Sequence, residues 1–166
     1  MRRLLRLLSA SAALALAGCL SDPVSVPEVD PATTTFANSL NISIASMTRT
    51  ASGLYFRDDS AGTGTATAAA GDSVTVHYTG WLSNGVRFDT SREGTRGPIG
   101  FRLGARPPRV IAGWEEGLLG MKVRGRRTLV IPPSLAYGPN DFNGIPGNSI
   151  LVFEVQLVSL VPAGTP

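Results

Sequence analysis

The chain offers few residues able to make or cut a covalent bond. Its only histidine is His77 and its only cysteine is Cys19, so a Ser/His/Asp triad or a cysteine and histidine metal site would lack partners. His77 reads as a partly exposed strand residue. Glu115 and Glu116 could pass for an acid/base pair, yet neighbours on a helix point to different sides, and a helix first turn favours acidic side chains. Residues 140–147 are rich in Gly and Pro but lack the strand-to-helix context of a phosphate loop. What remains is a group of aromatic side chains set beside turns: Tyr78, Phe88 next to Asp89, Trp114, Tyr137 and Phe153. No metal or cofactor is expected. Periodicity alone would assign each of these apolar residues to an ordinary core.

The elements that must position them are mostly strands. Val74, Val76, Tyr78 and Leu82 share one face of a strand, with Thr75, His77, Thr79 and Trp81 on the other. Asn84-Gly85 supplies a tight turn after it. Residues 53–58 form an earlier strand candidate, followed by a Gly/Ala/Thr-rich turn over 62–71. Residues 128–131 are β-branched or apolar and end at Pro132-Pro133. In the last strand, 150–161, Leu151, Phe153, Val155 and Leu157 alternate with Glu154 and Gln156. Only residues 113–121 read as a helix, with Trp114, Leu118 and Met121 at i, i+4 and i+7. Gly117 weakens it, so packing must hold it. Several antiparallel strands and one short helix predict an α+β domain in which a curved sheet wraps the helix.

The formal net charge of +3 comes from the amino terminus, where Arg2, Arg3 and Arg6 precede an apolar stretch from 7 to 17. Setting those three aside leaves twelve basic and twelve acidic side chains, and so no field for capturing a nucleic acid backbone. The basic start and short apolar run read as a secretory signal, too short for the roughly 20 residues that span a bilayer. Leu16-Ala17-Gly18-Cys19 resembles a bacterial lipobox, which implies cleavage before Cys19, lipidation of its thiol and acylation of the new amino terminus. A membrane partner through that anchor follows, on the extracytoplasmic side of the cell envelope. Leu20, where an Asp would retain the protein at the inner membrane, points to the outer membrane of a Gram-negative cell. One cysteine leaves no disulfide framework. Residues 20–36, with Pro23, Pro27 and Pro31, read as an extended tether. Leu40, Ile42 and Ile44 alternate with polar or small residues and predict a short strand, either an added edge strand or the end of the tether.

Five strings, Val76-His77-Tyr78-Thr79-Gly80, Phe88-Asp89-Thr90-Ser91, Val110-Ile111-Ala112-Gly113-Trp114-Glu115-Glu116-Gly117, Leu135-Ala136-Tyr137-Gly138 and Leu151-Val152-Phe153-Glu154-Val155, resemble the FKBP-type peptidyl-prolyl isomerase family in order and spacing. The resemblance implies a five- or six-stranded antiparallel half-barrel around one short helix. The layout it implies is a signal over 1–18, lipidated cysteine and tether over 19–47, the isomerase domain over 48–161 and a tail over 162–166. By motif match Trp114 is the pocket floor and Tyr78, Phe88 and Phe153 its walls. Val110 and Ile111 flank the entrance, with the Ile111 N–H free for a substrate carbonyl. Tyr137, beside Ala136, donates its hydroxyl to another carbonyl, and Ile145 closes one side from the long loop. Ile99 stands where the family often has a second aromatic, and Arg106-Pro107-Pro108-Arg109 makes a longer, stiffer entrance to the helix. Asp89, Tyr137 and Phe153 are the implied catalytic set. Asp89 is a fixed electrostatic element within reach of the Tyr78 hydroxyl, paired with Arg92 or Arg96, and it transfers no proton.

The implied activity is cis/trans rotation of X-Pro bonds in exported polypeptides, with proline-containing chains and macrolide immunosuppressant-type ligands as partners. The barrier of about 18–20 kcal/mol comes from amide resonance, and no nucleophile is needed to lower it. The alternatives are a proline-binding chaperone without useful catalysis and a host-interaction module built on the same scaffold. The joint presence of Tyr78, Asp89, Trp114, Tyr137 and Phe153 favours the enzyme.

Overall fold

A computed structural model of the chain describes residues 29–165. The signal segment, Cys19 and Leu20 lie outside the described residues. In chain order the strands and helix are β1 (Thr48–Arg49), β2 (Tyr55–Ser60), β3 (Ser73–Leu82), β4 (Arg87–Thr90), β5 (Ile99–Arg102), α1 (Ala112–Gly117), β6 (Arg126–Ile131) and β7 (Leu151–Val161). They form one antiparallel sheet in the order β1-β2-β6-β7-β3-β4. The sheet has seven strands where five or six were expected. The surplus has a simple origin. Strands β4 and β5 share one edge of β3, pairing with Thr79–Trp81 and Ser73–Val76 respectively, and the loop between them leaves the sheet. Strand β1 is only two residues long.

Alternation along the strands sorts side chains to two faces. Val74, Val76, Leu129, Ile131, Leu151, Phe153, Val155 and Leu157 turn to the side covered by α1, where they bury with Trp114, Leu118 and Met121. The helix is shorter than expected, ending at Gly117, and Leu118 and Met121 reach the core from the turns beyond it. Its glycines explain both its weakness and its position. A Cβ at Gly113 would come within 2.5 Å of Ile131, and one at Gly117 within 2.8 Å of Leu129, so only bare backbone lets α1 lie this close to β6. Arg127 of β6 then fastens the far end. Its guanidinium donates to the carbonyls of Gly117 (2.8 Å) and Leu119 (2.9 Å), bonds the Asp58 carboxylate at 2.7 and 3.1 Å, and lies over the Phe56 ring. A buried cation fully supplied with acceptors is tolerated inside.

The opposite face is also covered. Tyr55, Val130, Ile150 and Val152 pack against Phe36, Leu40, Ile42, Ile44 and Met47 of the amino-terminal segment. Of the two readings left open for Leu40, Ile42 and Ile44, the added edge strand does not form. Single 3-10 turns stand at Asn38–Leu40 and Ile44–Ser46, and Asn41 between them adopts a left-handed conformation (φ 49°) that breaks an extended chain. The apolar side chains still reach the sheet. The described part of the expected tether is likewise laid on the domain: Pro31 is buried, and the Ala37 N–H donates to the Ser83 carbonyl at 2.9 Å. Among the described residues no helix is long and apolar enough to cross a membrane.

Candidate functional site

Where β3, β4, β7 and α1 meet, the sheet and helix leave a hollow of about 140 Å³ lined by Tyr78, Phe88, Asp89, Ile99, Arg109, Val110, Ile111, Trp114, Tyr137 and Phe153. The indole of Trp114, 4% exposed, forms the floor. Around it the rings meet edge to face: Tyr78 at 5.0 Å and 76°, Phe153 at 5.2 Å and 85°, with Phe88 on Phe153 at 5.5 Å and 88°. These angles set the positive edge of one ring on the negative face of the next, so each ring holds its neighbour in place. Gly80 makes the wall possible, since a Cβ there would lie 2.6 Å from Phe153 and 2.7 Å from Phe88.

The polar side of the hollow is built around Asp89. Its Oδ2 accepts from the Tyr78 hydroxyl at 2.6 Å, its Oδ1 accepts from the Thr90 N–H at 2.9 Å, and Arg96 forms an ion pair with it. Of the two expected partners it is Arg96 that pairs, while Arg92 donates to Gln156 at 3.0 Å. Beneath, the buried Ser91 hydroxyl accepts from the Tyr78 N–H at 2.8 Å and lies 3.0 Å from His77 Nδ1, which ties the end of β4 to β3. Burial first, then the bond to Asp89, pushes the Tyr78 phenol up to about 12. Tyr137 is raised by burial and by the Asp89 charge. Both hydroxyls therefore keep their protons at neutral pH and can donate.

Most residues expected at the site are brought together here. Ile145 and Ala136 are not in the lining: Ile145 is 4% exposed within the main core and Ala136 packs against that core. The long loop meets the pocket through Phe142, whose ring stacks on Tyr137 at 4.2 Å and 12°. Ile111 opens α1, its carbonyl accepting from Trp114 and Glu115, while its own N–H finds no acceptor among the described residues. Glu115 and Glu116 diverge as expected, toward the Gly104 N–H and the Ser52 hydroxyl. Gly80, Phe101 behind Trp114 and Phe142 are contributors that sequence reading passed over, and Arg109, named only as part of the entrance to the helix, lines the pocket itself. Gly80 sits inside a quoted motif, so the bare position beside Tyr78 was a usable signal. Phe101 and Phe142 had none. No group of three His, Cys, Asp or Glu residues among the described residues could hold a metal ion.

An antiparallel sheet holding an aromatic-walled pocket against one helix, with two protonated phenols in its lining, defines a site able to bind a guest. Comparison with known proteins agrees. The model of the FKBP-type peptidyl-prolyl cis-trans isomerase family matches residues 64–158, and the chain belongs to that family. It is 45% identical over 113 residues to the FKBP-type peptidyl-prolyl cis-trans isomerase FkpA of Buchnera aphidicola, covering 68% of this chain and 44% of that protein. It is 46% identical over 94 residues to an FK506-binding protein of Neisseria meningitidis, covering 56% and 84%. The chain thus spans less than half of the first relative and most of the second. Among solved structures, FkpA from Escherichia coli superposes with a TM-score of 0.62 at 44% identity, covering 70% of this chain and 52% of that one. AtFKBP13 gives 0.64 at 36%, covering 69% and 98%.

Proposed function

We propose that the chain catalyses cis/trans rotation about X-Pro bonds of exported polypeptides. The observation that carries this is the pocket itself, in which Trp114, Tyr78, Phe88 and Phe153 surround a space suited to a proline ring, with hydroxyl donors and the Asp89 to Arg96 pair on one rim. As the amide twists, the carbonyl oxygen loses partial negative charge and the nitrogen regains its lone pair. An apolar enclosure disfavours the polar planar state more than the twisted one, and wall contacts hold the ring in the rotated geometry. The Tyr137 hydroxyl and the Ile111 N–H are the groups assigned to substrate carbonyls. No proton has to move.

The same pocket is our proposed site for macrolide ligands, a reading supported by the Neisseria relative, which is named for binding FK506. Ile99 in the rim offers a smaller surface than an aromatic ring. The proposal extends to the amino terminus: the basic, apolar, Leu-Ala-Gly-Cys start supports a lipid anchor at Cys19 on the extracytoplasmic side of an envelope membrane, the outer one in a Gram-negative cell. The deciding experiment is exchange of a proline tetrapeptide by the purified chain in mild detergent. Acceleration that a macrolide competes away is expected, and no acceleration at any enzyme concentration would overturn the assignment.

A further inference from the structure

We propose that Arg109 makes this pocket selective for polypeptides carrying a carboxylate one or two residues from the proline. This rests on the isomerase reading above and extends it to the class of substrate.

The argument begins with how charges at the mouth are paired. Asp89 and Arg109 are the charged residues in the lining. A second hollow of about 430 Å³ adjoins it, shares Phe88 and Asp89, and adds Arg87, Glu93 and Arg96. Each carboxylate already has a cation: Arg87 bonds Glu93 through two nitrogens at 2.6 and 2.8 Å, and Arg96 pairs with Asp89. Arg92 is engaged by Gln156. Among the described residues Arg109 has neither an ion pair nor a hydrogen bond, and it is exposed. A guest carboxylate would meet an unengaged guanidinium there, whereas a guest ammonium would find both mouth carboxylates already held. Arginine is charged at every working pH and can grip a carboxylate with two parallel N–H donors.

Geometry limits where that carboxylate can sit. Arg109 leads directly into Val110 and Ile111, which also line the pocket. It stands two positions before the free Ile111 N–H, in a bend of the chain, so the two positions are separated by at most about 7 Å of backbone. A substrate chain whose carbonyl meets that N–H therefore brings residues one or two places from the proline within reach of the guanidinium. Arg109 is exposed at the rim, so the effect expected is that of an exposed pair, about two- to five-fold in kcat/KM.

The test uses the full chain in detergent and matched tetrapeptides with Glu, Gln or Lys on either side of the proline, with exchange followed by NMR. The readout is the ratio of Glu to Gln peptide within each protein variant, so that any general loss of activity cancels. At about 20 mM salt the ratio should exceed one for at least one position and shrink toward one at about 0.5 M salt. Arg109→Gln should abolish it, and Arg109→Glu should reverse it in favour of Lys. Lys122→Gln, which removes a charge from a different hollow beside Asp58 and Arg127, should leave it unchanged. A wild-type ratio of one, or a ratio that survives Arg109→Gln or falls equally in Lys122→Gln, overturns the inference while the isomerase reading stands. Failure to turn over even the Gln peptide would remove that reading, and this inference with it.

Discussion

At the scale of single residues, the pocket couples Tyr78 and Asp89 through a 2.6 Å bond, and this has measurable consequences. Asp89→Leu should lower kcat/KM about tenfold to a hundredfold, the range expected for losing hydrogen bonds to a charged group. Asp89→Asn, which keeps an oxygen acceptor, should lower it less. Ultraviolet titration gives an independent reading. In either variant the Tyr78 phenol should drop from about 12 toward its ordinary value of 10.0, staying somewhat above it because burial is the first cause of the shift. The sign for stability follows. The folded protein holds the phenol proton more tightly than the unfolded chain, so this contribution is complete below about pH 10 and is lost as pH rises through 12. Since both Tyr78 and Tyr137 keep their protons, the rate should be flat from about pH 7 to 9. A titration inside that window that vanished in Asp89→Asn would make Asp89 a proton donor and contradict the mechanism. For the floor, Trp114→Leu keeps apolar volume and discards the flat indole with its edge-to-face partners. Peptide and macrolide affinity should fall about tenfold in a folded variant, and calorimetric titration with unchanged affinity would place the site elsewhere.

Among elements, α1 is the one whose placement decides the pocket, because Trp114 rides on it. Its two core-facing glycines set two effects against each other. Alanine at Gly113 would improve helix propensity by up to about 1 kcal/mol, but its Cβ would press on Ile131 at 2.5 Å. Ile131 is completely buried and has nowhere to move, so overpacking of about 1–3 kcal/mol should win. Gly113→Ala is therefore expected to lower the denaturant midpoint at unchanged slope, and to weaken ligand binding as the helix lifts. A variant more stable than wild type would show that the close approach is not needed.

The whole molecule has a second covered face with no direct role in the pocket. Residues 29–47 contribute Phe36, Leu40, Ile42, Ile44 and Met47 to the cluster beneath Val130 and Val152. Removing them should cost about 2–4 kcal/mol from partly buried apolar side chains, offset in part by the ordering entropy no longer spent. A lower melting temperature is expected, with kcat/KM on a neutral peptide retained below it, because the pocket lies on the other side of the sheet. At the amino terminus, Cys19→Ser should shift the chain from the detergent phase to the aqueous phase. One acyl chain holds weakly and several hold firmly, at about 0.8 kcal/mol per buried methylene, and nothing else in residues 20–36 is apolar or polybasic enough to replace them. A mutant that partitions like wild type would rule out lipidation there.

The sequence alone determined the strands β3 and β7, because one face of each is buried while much of the other stays partly exposed, which writes a period of two into the residue types. It also determined the identity of the aromatic walls through five motifs in register. It could not determine the conformation of residues 38–47: the alternation of Leu40, Ile42 and Ile44 specifies which side chains seek cover, and Asn41 turning left-handed decides how the backbone delivers them. Nor could it place Ile145, whose side chain enters the core from a loop without periodicity, leaving Phe142 to stack on Tyr137. The choice of Arg96 over Arg92, and the unpaired state of Arg109, were likewise beyond it. Local pattern records the preference of each residue for water or for the interior, while the pairing of charges and rings depends on distances that exist only once strands far apart in sequence are brought side by side.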